Sequence, residues 1–138
     1  VGVAQLRKLD RFVKERRDNW SKLYSLLNSF SDYLILPSET PGTYASWFGF
    51  PITVRSETGV KRNELIRHLE SHKIATRLLF GGNIARQPAY SGVSFLTDGD
   101  LPNANRVARD TFWVGVYPGL ATEHLNYIHD IFGTFKWR

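Results

Sequence analysis

The chain has 138 residues, with 18 Lys and Arg against 13 Asp and Glu, a formal net charge of +5. That length suits one globular domain, 1–138, able to bury a core without covalent staples. There is no cysteine, which excludes disulfides, thiolate metal sites, a cysteine nucleophile and cysteine-held iron–sulfur clusters. No apolar run approaches a membrane span and no segment reads as a signal peptide, so a cytoplasmic protein with no membrane partner is the expectation. The chain starts at Val1 and contains no Met, which points to a processed start or to a piece of something longer.

Leu6, Leu9, Val13, Trp20, Leu23, Leu27 and Phe30 recur at three- and four-residue spacing, with Arg16 the one interruption. This predicts a long N-terminal helix over residues 3–30 with a single apolar stripe. At the usual rise it is roughly 40 Å long, more than a domain of this size needs. Arg7, Lys8, Arg11, Lys14, Arg16 and Arg17 are interleaved with Asp10, Glu15 and Asp18. That mixture reads as a solvated face rather than a nucleic-acid footprint.

Residues 31–46 read as a loop. Phe48, Phe50, Ile52 and Val54 alternate with Trp47, Gly49, Pro51 and Thr53, which predicts a strand. Pro51 puts it at an edge or a bulge. Leu65, Ile66 and Leu69 predict a short helix over residues 61–72. Ile74, Thr76, Leu78 and Phe80 then alternate with Ala75, Arg77 and Leu79 as a second strand. Residues 81–99 have no period, and a loop that long inside a compact domain is often functional. Asp100 as cap and Pro102 in the first turn begin a helix to about Arg109. Phe112, Val114 and Val116 mark a third strand, stopped by Pro118-Gly119. Leu125, Ile128, Ile131, Phe132 and Phe135 form the stripe of a last helix.

The order predicts an α/β fold of the α+β two-layer type, with about three strands, helices packed on one sheet face and a long N-terminal helix. Trp47, Arg77, Leu79, Trp113 and Tyr117 fall on the other face. That set is too aromatic for open water and predicts a docking surface.

Glu64, His68 and His72 share one helix face, but the zinc-protease pattern needs Glu directly after the first His, and Leu69 stands there. No metal site is expected. His124 and His129 diverge on their helix and add none. Gly81-Gly82-Asn83 is not a phosphate loop of either standard type. Its neighbours give it weight: Arg77 before it, then Arg86, Gln87 and Tyr90. Guanidiniums grip phosphates, and amides match sugar hydroxyls. A structured loop held by local hydrogen bonds is the other reading, and residue types alone leave both open.

The string Ile74-Ala75-Thr76-Arg77-Leu78-Leu79-Phe80-Gly81-Gly82-Asn83, followed by Arg86-Gln87-Pro88-Ala89-Tyr90, resembles the sugar-nucleotide 3-dehydrases. These are a branch of the vitamin-B6-dependent DegT/StrS family, and the resemblance extends to its lipopolysaccharide-sugar dehydrases. Phe112-Trp113-Val114-Gly115-Val116-Tyr117-Pro118-Gly119-Leu120 looks like the family's strand and turn before its last helix, and Trp47-Phe48-Gly49-Phe50-Pro51-Ile52 also fits that branch. The Thr76–Asn83 string is specific; the Tyr117–Leu120 turn is shared across the wider family. Members usually carry Thr or Ser after that turn; here it is Ala121, which shifts the expected cap to Thr122.

The resemblance implies the small C-terminal domain of the type I aminotransferase-like fold, with the cofactor-binding large domain absent from this chain. It implies a parent enzyme that uses pyridoxal or pyridoxamine phosphate (PLP/PMP) to remove the C3 hydroxyl of a nucleotide-linked 4-keto-6-deoxyhexose. The catalytic base and the cofactor site belong to the large domain, so this chain is expected to be inactive alone and to bind no cofactor. Arg77, Asn83, Arg86, Gln87 and Tyr90 are the expected substrate-binding residues, on backbone turned by Gly81 and Gly82. A homodimer, and in some members an electron-transfer reductase, are further implied. The alternative within the family is a sugar-nucleotide aminotransferase. A basic binding module, resting on a pI near 9.7, is the alternative of another class.

Overall fold

The computed structural model describes residues 1–137. Its sheet has four antiparallel strands, β1 (Leu34–Ile35), β2 (Gly49–Val54), β3 (Thr76–Leu78) and β4 (Thr111–Gly115), in the order β1-β2-β4-β3. Five helices accompany them: α1 (Gly2–Leu6), α2 (Leu9–Leu27), α3 (Arg62–Ser71), α4 (Pro102–Asp110) and α5 (Thr122–Thr134).

Phe50, Ile52 and Val54 of β2 and Phe112 and Val114 of β4 all point to one face, as period two requires. Leu23 and Leu27 of α2, Leu65 and Leu69 of α3, and Leu125 and Phe132 of α5 close over them as one apolar cluster. The two-layer architecture expected from the sequence is present, with local corrections.

A fourth strand, β1, lies inside the segment expected to be loop, and pairs Leu34 with Val54. Two residues are too few to show a period. The expected long helix is broken at Arg7 and Lys8, and only Leu23 and Leu27 of its stripe are fully buried, while Leu6 is 68 % exposed. Helical spacing marks a face, not what covers it. The inward alternation of the second expected strand also fails from Leu78 on: Leu78 is 52 % exposed on the edge strand β3, and Phe80 takes φ 49° and turns its ring outward.

Arg16, the interruption in the stripe, donates to the Trp47 carbonyl at 3.1 Å. It straps the 31–48 segment onto α2. Trp47 consequently leaves the open sheet face, where the alternation put it, and stacks on Trp20 with ring centroids 4.6 Å apart. Arg17 completes the strap. It donates to Glu39 Oε1 at 2.8 Å and to the Ala45 carbonyl at 2.7 Å, and its guanidinium lies 3.7 Å from the Tyr44 ring centre.

Arg17, and then the Ala45 N–H, hold the Glu39 carboxyl below its ordinary range. A carboxyl with a lowered folded pKa stabilises above its unfolded value and loses that contribution as pH falls through the folded one. The strap should therefore hold at neutral pH and open in acid. The Ala45 amide donates to Glu39 at 3.0 Å, so its NMR shift should titrate with a midpoint below that of a free glutamate. A midpoint at or above the free value would contradict this.

Candidate site on the open sheet face and the loop after β3

The second sheet face is bordered at its β3 edge by α5, whose Glu123, His124 and Tyr127 share a groove with Arg77 and Trp113. Register places Trp113 opposite Pro51 on one side and Arg77 on the other. Close contacts around Trp113 shape this face. Gly49 leaves room for the Trp113 ring, since a Cβ there would sit 2.2 Å from it. Pro51 does not put β2 at the expected edge or bulge: β2 lies between β1 and β4 in unbroken register with β4, and β1 reaches only Thr53 and Val54, so Pro51 has no partner on that side. Trp113 Nε1 donates to the Leu78 carbonyl at 3.2 Å. Phe48 lies beside the same indole at 5.0 Å and is exposed rather than inward, because the strand starts only at Gly49.

Arg77, Trp113 and Tyr117 line a groove of about 500 Å³ with Lys73, Glu123, His124 and Tyr127. The sequence alone does not single out Lys73, Glu123 and Tyr127, and it raises His124 only as a metal ligand. Lys73 occupies the left-handed position after α3, with φ 64°. Its N–H bonds the Glu70 carbonyl and that of Ile74 bonds Leu69, the double closure usually built on glycine. Tyr127 donates to the His72 carbonyl at 3.1 Å. A polar stripe on α5, with Glu123 and Tyr127 four apart, was the available signal.

α5 starts without the expected Thr122 cap. The Ala121 N–H donates to His124 Nδ1 at 3.0 Å, while Thr122 Oγ1 accepts from Lys22 of α2 at 2.7 Å. Similarly, α4 is preceded by Leu101 in the left-handed region, not capped by the Asp100 side chain. The helical histidines do structural work: His68 Nε2 donates to the Ile131 carbonyl at 3.0 Å, joining α3 to α5.

The five expected substrate residues separate into distinct environments. Arg77 lines the groove just described, exposed, its side chain in no hydrogen bond or ion pair among the described residues. The Arg86 side chain is likewise exposed and unpartnered among them, on a short turn of helix over Ile84–Arg86. Tyr90 and Asn83 border a second, mainly apolar hollow with Phe95 and Leu96. Gln87 donates from Nε2 to the Gly81 carbonyl, closing the loop on itself. Asn83 is only 4 % exposed. Of the two glycines, Gly82 takes φ +60° and packs on Ala108 of α4, where a Cβ would come within 2.6 Å; Gly81 is under no such constraint. Among the described residues no three metal-ligating side chains gather, and no helix is long and apolar enough to cross a membrane.

These features can be set beside known proteins. The chain is 46 % identical over 134 residues to the lipopolysaccharide biosynthesis protein RfbH of Salmonella typhimurium, covering 97 % of this chain and 31 % of that one. It is 42 % identical over 135 residues to the dTDP-4-dehydro-2,6-dideoxy-D-glucose 3-dehydratase of Saccharopolyspora spinosa, covering 98 % of this chain and 29 % of that one. The fold superimposes on E. coli GDP-4-keto-6-deoxy-D-mannose-3-dehydratase, solved with bound hydrated PLP, with TM-score 0.83 at 26 % identity, over 94 % of this chain and 33 % of that one. The chain thus spans about a third of the length of the relatives it matches. A profile of the DegT/DnrJ/EryC1/StrS aminotransferase family matches residues 1–132, and with fold, motifs and relatives in agreement the chain belongs to that family.

Proposed function

We propose that this chain is the C-terminal small domain of a cytoplasmic, vitamin-B6-dependent nucleotide-sugar 3-dehydrase that removes the C3 hydroxyl of a 4-keto-6-deoxyhexose in deoxysugar and lipopolysaccharide synthesis. The observation that carries the reading is the open sheet face, where a strand-mounted guanidinium, Arg77, stands unpaired beside Trp113. A cation held on a rigid strand and left unneutralised fits an anionic ligand. The 3-dehydratase name of a relative 42 % identical supports a nucleotide-linked sugar as that ligand.

When bound, pyridoxamine phosphate supplies the electron sink for expelling the hydroxyl. This chain's own donors do not fit the cofactor. Strands β2, β3 and β4 and the 81–99 loop contain neither lysine nor histidine; at the groove's rim Lys73 stands on the exposed turn after α3 and His124 has its Nδ1 occupied by the Ala121 N–H. We therefore assign the cofactor, the base and the supply of electrons or amine to the large domain and to partners of the complete enzyme. What this chain does is bind and orient. Arg77 fixes one anionic group from the sheet, and Arg86 closes over the nucleotide diphosphate from the loop. Gln87 and Tyr90 shape that loop, with Gly81, Gly82 and Asn83 at its base. Exposed Ile84, Phe95 and Leu96 support burial against the large domain and the second subunit of a homodimer.

Replacing Arg86 by Ala in the full-length enzyme should raise KM and lower kcat/KM, with the unfolding midpoint unchanged. One lost charge-assisted contact is worth about 1.5–3 kcal/mol, roughly ten- to hundred-fold in kcat/KM. Wild-type kinetics for both Arg77→Ala and Arg86→Ala would remove this face and loop from the substrate site.

A further inference from the structure

Asn83 is the one member of the expected substrate set that is buried, and its amide is fully directed. Its Oδ1 accepts from the Ala85 N–H at 3.0 Å, and its Nδ2 donates to Asn105 Oδ1 at 2.8 Å. Asn105 Nδ2 in turn donates to the Asp100 carbonyl at 2.8 Å. The three bonds run in one direction, so neither amide can flip without setting like groups against each other. The relay ties the start of the long loop, at Asn83, to its end, at Asp100, and fastens both to α4. Gly82 seats the same corner on Ala108 of α4. Arg86 rides on the turn that Asn83 caps.

We infer that Asn83 and Asn105 are positioning residues: an amide clasp that presents Arg86 to the substrate without touching it. This rests on the proposed role of Arg86, and it departs from the expectation that Asn83 contacts a sugar hydroxyl. The clasp lets a loop of few apolar contacts keep a fixed shape, so the guanidinium is preorganised rather than recruited.

Asn83→Asp is nearly isosteric and sets a carboxylate oxygen against Asn105 Oδ1; Asn105→Ala removes the relay from the other side. Both are compared with Arg86→Ala in the full-length enzyme, by steady-state kinetics on the nucleotide sugar and by amide exchange over residues 84–90. Both clasp variants should raise exchange there and raise KM roughly ten-fold with kcat within about two-fold, and Arg86→Ala combined with Asn83→Asp should be no worse in KM than Arg86→Ala alone. Unchanged exchange in both variants overturns the clasp. Faster exchange with unchanged KM also overturns the positioning role: if Arg86→Ala alone still raises KM, the substrate reading stands without it, and if it does not, that reading falls as well. A loss of kcat confined to Asn83→Asp would make Asn83 a direct contact and overturn the inference.

Discussion

Phe112→Ala should destabilise the domain by about 3–5 kcal/mol, the cost of deleting a large buried ring plus the cavity it leaves. Phe112 is fully buried. It sits on the central strand, opposite Ile52 on one side and Leu78 on the other, so helices above and strands on both sides are fixed around the gap. Collapse into the cavity is therefore restricted, which places the cost at the upper end. Against a typical stability of about 5–15 kcal/mol this is a third or more of the total. In urea the midpoint should fall with the slope unchanged. Phe80→Ala is the internal control, because that ring is 79 % exposed and should move the midpoint by about 0.5 kcal/mol or less. Equal effects from the two would contradict the assignment of faces.

Gly82→Val should detach the loop rather than unfold the core. A β-branched residue at φ +60° carries about 1–3 kcal/mol of backbone strain. Its Cβ would also fall 2.7 Å from the Ala108 Cα, and helix backbone has no rotamer with which to yield. Together these come to about 3 kcal/mol or more, roughly a hundred-fold in the equilibrium for local opening. The strained corner can release by lifting off α4, since most of residues 81–100 are exposed. Trypsin cleavage after Arg86 should accelerate by about that factor while the global unfolding midpoint barely moves. Cleavage no faster than in the wild type would show that Gly82 does not pin the loop.

Much of this architecture is legible in the residue order, and particular residues show where legibility stops. The alternation Phe50, Ile52, Val54 reads correctly because a half-buried strand leaves its period in the sequence. The same alternation misplaces Phe48, since it cannot register that the Trp113 ring fills the space over Gly49 and begins the strand there. Arg16 reads as a flaw in a stripe; only the tertiary contact with the Trp47 carbonyl shows it as a strap. The candidate site divides in the same way. Arg77, on a strand, follows from periodicity. Asn83 is legible as an amide in a glycine turn, but its partner is 22 positions away, and no local pattern pairs them. Lys73 and Tyr127 come from a helix end and another helix, brought to the groove by the topology alone.

The strand order has a bearing on how the domain comes into being. β4 pairs with both β2 and β3, and it is the last strand in the chain. Before it is made, the only sheet contact open to the nascent polypeptide is the two-residue pairing of β1 with β2. Phe50 and Ile52 must wait for Val114 and Phe112, far along the chain, and for α5 after them. Loop closure over such separations slows assembly and prolongs the exposure of apolar strands. The vulnerable interval in folding of this domain is thus the one in which β2 has been synthesised and β4 has not.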